Sequence, residues 1–96
     1  MIKVNLYTIT ELKEIIGQSR TEFFLPEGSL LQWFLQKLIA TYGEKLSSKL
    51  VDAGSGEVFS YIRIAVNGRD IAFLKGLDTE LRDGDEVLIV PPVAGG

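Results

Sequence analysis

Leu81-Arg82-Asp83-Gly84-Asp85-Glu86-Val87-Leu88-Ile89-Val90-Pro91-Pro92-Val93-Ala94-Gly95-Gly96 closes the chain and decides how the rest is read. Arg82-Asp83-Gly84-Asp85 is turn chemistry, with Gly84 free to take φ > 0. Val87 to Val90 is an apolar run in which every residue but Leu88 is β-branched, which suits a strand buried on at least one face. Pro91 and Pro92 have no N–H to offer, so ladder pairing fades there, and their fixed φ holds the backbone near polyproline geometry. The expectation is a body, residues 1–90, and a tail, residues 91–96, that is stiff at its base and flexible at its tip. Fully extended at about 3.3–3.6 Å per residue, that arm reaches roughly 20 Å. A frayed terminus is one reading. The other is an arm that delivers the Gly96 carboxylate into a narrow partner channel, where Gly95 and Gly96, lacking Cβ, let the backbone pass close to other atoms. A strand, two prolines and then side chains shrinking to bare backbone favour the second.

A central apolar strand needs neighbours. Met1 to Tyr7 alternates, with Ile2, Val4 and Leu6 on one face and Lys3, Asn5 and Tyr7 on the other, as a half-buried strand does. Thr8 to Gly17 reads as a short helix, with Thr8 and Glu11 in capping-box positions and Gly17 at the stop. Thr21 to Leu25 is a second strand in which periodicity leaves open whether Phe23 or Phe24 faces the core. Ser29 is placed as N-cap of the main helix, Ser29–Tyr42, with Gln32 completing its box. Leu31, Phe34, Leu35, Leu38, Ile39 and Tyr42 form its apolar stripe, and Gly43 is expected as a left-handed cap. Trp33 lies off the stripe, at the rim of the core or in a partner contact.

Glu44 to Val51 reads as another helical turn, and Asp52 to Glu57 as a loop with two glycines and no anchor. A third strand is expected over Phe59 to Val66, with Ile62, Ile64 and Val66 of one parity. Asn67-Gly68 is the strongest short hairpin signal, because a type I′ turn needs φ > 0 at both central positions. Arg69 to Ala72 is its return strand, and Phe73 to Leu77 a loop or 3₁₀ turn. One long helix with one stripe must cover one face of one mixed sheet. The class is therefore α+β, four to five strands under one main helix. The element order favours a β-grasp, with strand order 2-1-5-3-4 and a parallel central pair. Glu86 should face water, which by period two puts Leu88 and Val90 on the helix-free face as a candidate partner-docking surface.

The 96 residues make one domain. A hydrophobic share of 46%, a charged share of 24%, a net charge of −3 and a sequence pI of about 4.9 describe a globular protein with no nucleic-acid footprint. No polybasic segment points to a membrane. There is no cysteine and no histidine, which weighs against disulfides, a zinc site and a self-contained hydrolase. No metal site is expected. The absence of a signal-peptide pattern or spanning apolar run makes the cytoplasm the expected location.

Asn67-Gly68-Arg69-Asp70-Ile71, with Leu81 to Val87 and Pro91-Pro92-Val93-Ala94-Gly95-Gly96, resembles the small subunit of molybdopterin synthase, a family that sits among the ubiquitin-like sulfur carriers. The likeness runs through nearly the whole chain in element order and is most specific in the last third. The chain looks like a longer family form, with additional residues around Glu44 to Ser60, and is longer than thiamin-pathway carriers usually are. The resemblance implies that Gly96 carries the chemistry. A ubiquitin-activating-type adenylyltransferase would convert its carboxylate to an acyl-adenylate with ATP, and a sulfur donor would make the thiocarboxylate. The tail Pro91, Pro92, Val93, Ala94 and Gly95 would then enter the large synthase subunit, and the sulfur would go to a pterin precursor. ATP belongs to the activating partner, and this chain binds no cofactor of its own. A ubiquitin-like modifier joined to lysines, and a carrier for tRNA thiolation or another sulfur-containing metabolite, share the chemistry up to the acceptor. A plain β-grasp interaction domain would need no such tail.

Overall fold

The run Val87 to Val90 lies in the middle of a sheet, and the other elements are arranged around it. The structure, a computed structural model, describes residues 1–92. Strand β1 (Ile2–Thr8), helix α1 (Thr10–Ile16) and strand β2 (Arg20–Leu25) come first. Helices α2 (Leu31–Tyr42) and α3 (Glu44–Leu50) follow, then strands β3 (Arg63–Val66), β4 (Arg69–Asp70) and β5 (Glu86–Val90). The order across the sheet is β2-β1-β5-β3-β4. β1 runs parallel to β5, and the other neighbours are antiparallel. This is the β-grasp arrangement that the element order favours.

Alternation builds one core. Ile2, Val4 and Leu6 of β1, Ile64 and Val66 of β3, and Val87 and Ile89 of β5 join Leu12 and Ile16 of α1, Leu31, Phe34, Leu35 and Leu38 of α2, and Leu46 and Leu50 of α3 in one buried cluster. All three helices therefore cover the same face of the sheet. Phe23 is the phenylalanine that turns inward; its ring meets Phe34 edge-on, with centroids 5.5 Å apart and planes at 71°. Phe24 points the other way and is exposed.

Polar residues around the turn before β5 hold that strand in place. Gly84, at φ 87, donates its N–H to the Lys3 carbonyl (2.7 Å), and the Lys3 N–H donates to Asp83 Oδ1 (2.8 Å). One oxygen of Asp85 accepts from the Arg82 N–H (2.8 Å), the other from Asn67 Nδ2 (2.9 Å). Asn67 Oδ1 in turn accepts from the Glu86 N–H (3.0 Å). The turn is thus tied to β1 on one side and to the β3–β4 hairpin on the other. Asn67 (φ 52) and Gly68 (φ 81) both take positive φ, as the type I′ reading requires.

Several local expectations are corrected. Ser29 does not cap α2: its hydroxyl donates to the Pro26 carbonyl (2.7 Å), and the N-cap is Leu30. A tertiary contact replaces the cap. Leu30 bridges Glu80, the Leu31 N–H donates to the Thr79 carbonyl (2.8 Å), and the Leu81 N–H to the Ser29 carbonyl (2.9 Å). Gln32 donates to Asp78 instead of closing a box (2.7 Å). Thr8 stays in β1, its hydroxyl donating to the Gln18 carbonyl (3.0 Å), so α1 begins after Ile9. Gly17 does end α1 in the left-handed region. Gly43 has positive φ but ψ −155, a region open essentially to glycine alone, which turns α2 directly into α3.

Ile39 is only half-buried, because α2 rotates it away from the core centre, and Trp33 is 53% exposed, outside the core cluster. The loop 52–57 does have an anchor: Asp52 Oδ1 accepts from the N–H groups of Gly54 (2.7 Å) and Ser55 (3.1 Å), and Val51 bridges Val58. β3 begins at Arg63, since Phe59 to Ile62 forms a turn, with the Ile62 N–H on the Phe59 carbonyl (3.1 Å). β4 ends at Asp70, whose carboxylate accepts from the Ala72 N–H (2.8 Å) and starts a 3₁₀ turn.

Leu35→Ala is expected to destabilise the fold by about 2–5 kcal/mol, the range for a buried leucine that leaves a cavity. Urea unfolding followed by circular dichroism measures this, and a loss well under that range would place Leu35 outside the core.

Candidate functional site

Among the described residues, β5 is flanked by strands on both sides and covered by helices on one face, so its accessible part is the helix-free face. Glu86 is exposed, and Leu88 and Val90 are half-buried, while Val87 and Ile89 between them are buried. The period of two read from the sequence is therefore correct. The register sets Leu88 in a row that crosses all five strands: Arg20, Tyr7, Leu88, Ala65, Asp70. Tyr7 and Ala65 are also half-buried, so the row is apolar in the middle and charged at both ends. Val90 lies one step along β5, beside Arg63.

The charges around this centre are matched. Arg63 pairs with Asp70 at 2.7 Å, and Glu22 meets Lys3 at 3.6 Å and Arg20 at 3.7 Å. Arg20 also donates to Oδ1 of the buried Asn5 (3.3 Å). Most of these side chains are well exposed, and such pairs contribute about 0–1 kcal/mol each. Their larger effect is on the field. Lys3, Arg20 and Arg63 face Glu22, Asp70 and Glu86, so the face has no net sign to attract a polyanion. It offers apolar area with a polar rim, the composition of a protein contact.

β5 ends at Val90, Pro91 is buried and Pro92 is exposed. Of the site residues expected from the sequence, Leu88, Val90, Pro91 and Pro92 are placed on one continuous path; Val93, Ala94, Gly95 and Gly96 lie outside the described residues. Two neighbours of this path were not singled out from the sequence. Thr8 is the partner of Ile89 in parallel pairing, so Ile9 follows alongside Val90. Arg63 is the partner of Val90 in antiparallel pairing, so the turn just before it, which includes Tyr61, lies at the end of the sheet where β5 gives way to Pro91. Parity held part of this signal, since Tyr61, Arg63 and Ala65 share the parity opposite to Ile62, Ile64 and Val66. The rest needed strand register.

The side chains gathered here can make contact and orient the tail. None is an imidazole or a thiol. Among the described residues, no three His, Cys, Asp or Glu side chains are grouped to hold a metal ion, and no helix is long and apolar enough to cross a membrane.

Comparison with known proteins bears on what such a face and tail serve. The model of the ThiS family matches residues 8–96. Small archaeal modifier protein 3 of Haloferax volcanii is 32% identical over 95 residues, which cover 99% of this chain and 100% of that protein. Sulfur carrier protein CysO of Mycobacterium tuberculosis is 40% identical over 70 residues, covering 72% of this chain and 74% of its own. A solved structure described as a putative molybdopterin converting factor, subunit 1, from Pyrococcus furiosus superimposes with a TM-score of 0.76 at 27% identity, covering 97% of this chain and 100% of that one.

Leu88→Glu is expected to keep the fold, with a smaller loss of stability than Leu35→Ala, while weakening the binding of a tail-handling partner measured by calorimetry. A destabilisation as large as that of Leu35→Ala would make Leu88 a core residue.

Proposed function

We propose that this chain, which belongs to the ThiS family of ubiquitin-like sulfur carriers and modifiers, is a sulfur carrier whose reacting group is the Gly96 carboxylate. The observation that carries the reading is the path itself: the central strand leads, beside an open face with an apolar centre, directly into Pro91 and Pro92. A carboxylate is a poor acyl donor. A ubiquitin-activating-type partner supplies ATP, the Gly96 oxygen attacks its α-phosphorus, and pyrophosphate leaves. A sulfur donor then displaces AMP from the acyl carbon and leaves a thiocarboxylate, a soft nucleophile. The base, the oxyanion donors and the ATP site belong to partners, and this chain supplies a docking face around Leu88 and Val90 and a tail of the right reach.

For the acceptor, we propose a pterin precursor bound by the large subunit of molybdopterin synthase, with the chain as the small subunit. The support is the specific tail sequence and the end-to-end likeness to the Pyrococcus furiosus protein described as a converting-factor subunit. A second reading, a modifier joined to protein lysines through the same adenylate, is supported by the end-to-end likeness to small archaeal modifier protein 3. Intact mass of the protein from its own cell separates them: a shift for one oxygen-to-sulfur exchange at the terminus marks the carrier, and lysine-linked ladders mark the modifier.

Deletion of Gly95-Gly96 is expected to leave the thermal midpoint nearly unchanged and to abolish ATP–pyrophosphate exchange by the cognate activating enzyme. Addition of one residue after Gly96 should do the same, because the carboxylate then passes the reacting position. Full exchange with the truncated protein would remove Gly96 from the chemistry.

A further inference from the structure

The tail is short, and that limits where its partner can stand. From Pro92 the four remaining residues span at most about 13–14 Å. An active site that holds the Gly96 carboxylate must therefore bring its channel mouth against the end of the sheet at Pro92. At that end of the sheet, each strand beside β5 has one exposed apolar side chain just outside its last paired residue. Ile9, 45% exposed, follows the Thr8–Ile89 pair at the end of β1. Tyr61, 50% exposed, precedes the Arg63–Val90 pair at the start of β3. Neither belongs to the Leu88 row.

Tyr61 is more than an exposed ring. It stacks on Phe59, with centroids 5.0 Å apart and planes at 12°. Phe59 is half-buried, packs against the core and is pinned by its N–H to the Leu50 carbonyl (2.9 Å). One face of Tyr61 is thus held by the domain and the other is presented to solvent in a fixed orientation. A preordered ring loses little freedom on contact, and its face suits an apolar side chain or a planar guanidinium.

We infer that Tyr61, backed by Phe59, and Ile9 form a collar around the root of the tail that seats against the channel mouth of the enzyme that adenylates Gly96. The collar rests on the sulfur-carrier reading and deepens it by naming a contact separate from the Leu88 face. Its work is to position the carboxylate, so it acts on encounter and alignment and takes no part in the chemistry.

The test is ATP–pyrophosphate exchange with the full chain and its activating enzyme, with carrier concentration varied. Tyr61→Ser and Ile9→Ser should each raise KM for the carrier at least about 10-fold and leave kcat within about 2-fold, the pattern of lost uniform binding. Tyr61→Phe, which keeps the ring, should behave as the parent. Thermal melts of each variant separate loss of contact from loss of fold, and Ile9→Ser tests the collar even if Tyr61→Ser melts early. Parent-like KM in a folded Tyr61→Ser or Ile9→Ser chain would overturn the collar while leaving the carrier reading intact. Exchange that survives deletion of Gly95-Gly96 would overturn the carrier reading itself.

Discussion

The parallel pairing of β1 with β5 is the contact on which the rest of the structure depends. Parallel neighbours cannot be joined by a tight turn, so the chain between them must somewhere cross over one face of the sheet, here between β2 and β3. That crossover carries α2 and α3, and it is why one face is buried while the other stays open. It also sends the ends of β1 and β5 out on the same side. The tail therefore leaves the domain beside the end of β1 and the start of β3, and not from a remote corner.

The pairing is held by polar groups more than by apolar ones at its N-terminal end. Asp83, Asp85 and Asn67 satisfy backbone N–H groups of Lys3, Arg82 and Glu86 and join β1, β5 and the hairpin through one turn. At the C-terminal end the work passes to Val87 and Ile89 in the core, and then Pro91 and Pro92 stop the ladder. One strand thus serves two purposes. Its inward residues stabilise the domain, and its outward residues line the open face, where the proposed partners would dock. Such a division lets the delivery end be handled without disturbing the core.

The charge-matched rim of the open face favours selective seating by shape and apolar contact over long-range attraction. Two partners in the proposed cycle must reach the same tail in turn. A modest, mostly apolar surface with few strong ion pairs suits contacts that form and release.

Much of this was determined by local sequence. Alternation in Ile2, Val4 and Leu6, the stripe Leu31 to Leu38, the Asn67-Gly68 turn and the run Val87 to Val90 each encode an element through backbone geometry and side-chain period, which neighbours along the chain suffice to specify. Element order favoured the β-grasp without fixing the strand order, which the structure supplies, and parity put Leu88 and Val90 on the open face. Tertiary structure decided what depends on groups far apart in the chain. Ser29 looks like a cap, yet the first N–H of α2, that of Leu31, is satisfied by the Thr79 carbonyl, in a pairing of 29–31 with 79–81 that no local pattern predicts. The choice of Phe23 over Phe24 followed from β2 lying over Phe34. The strand expected from Phe59 is a turn up to Ile62, and the ladder stops at the Arg63–Val90 pair, next to Pro91, which has no N–H to extend it.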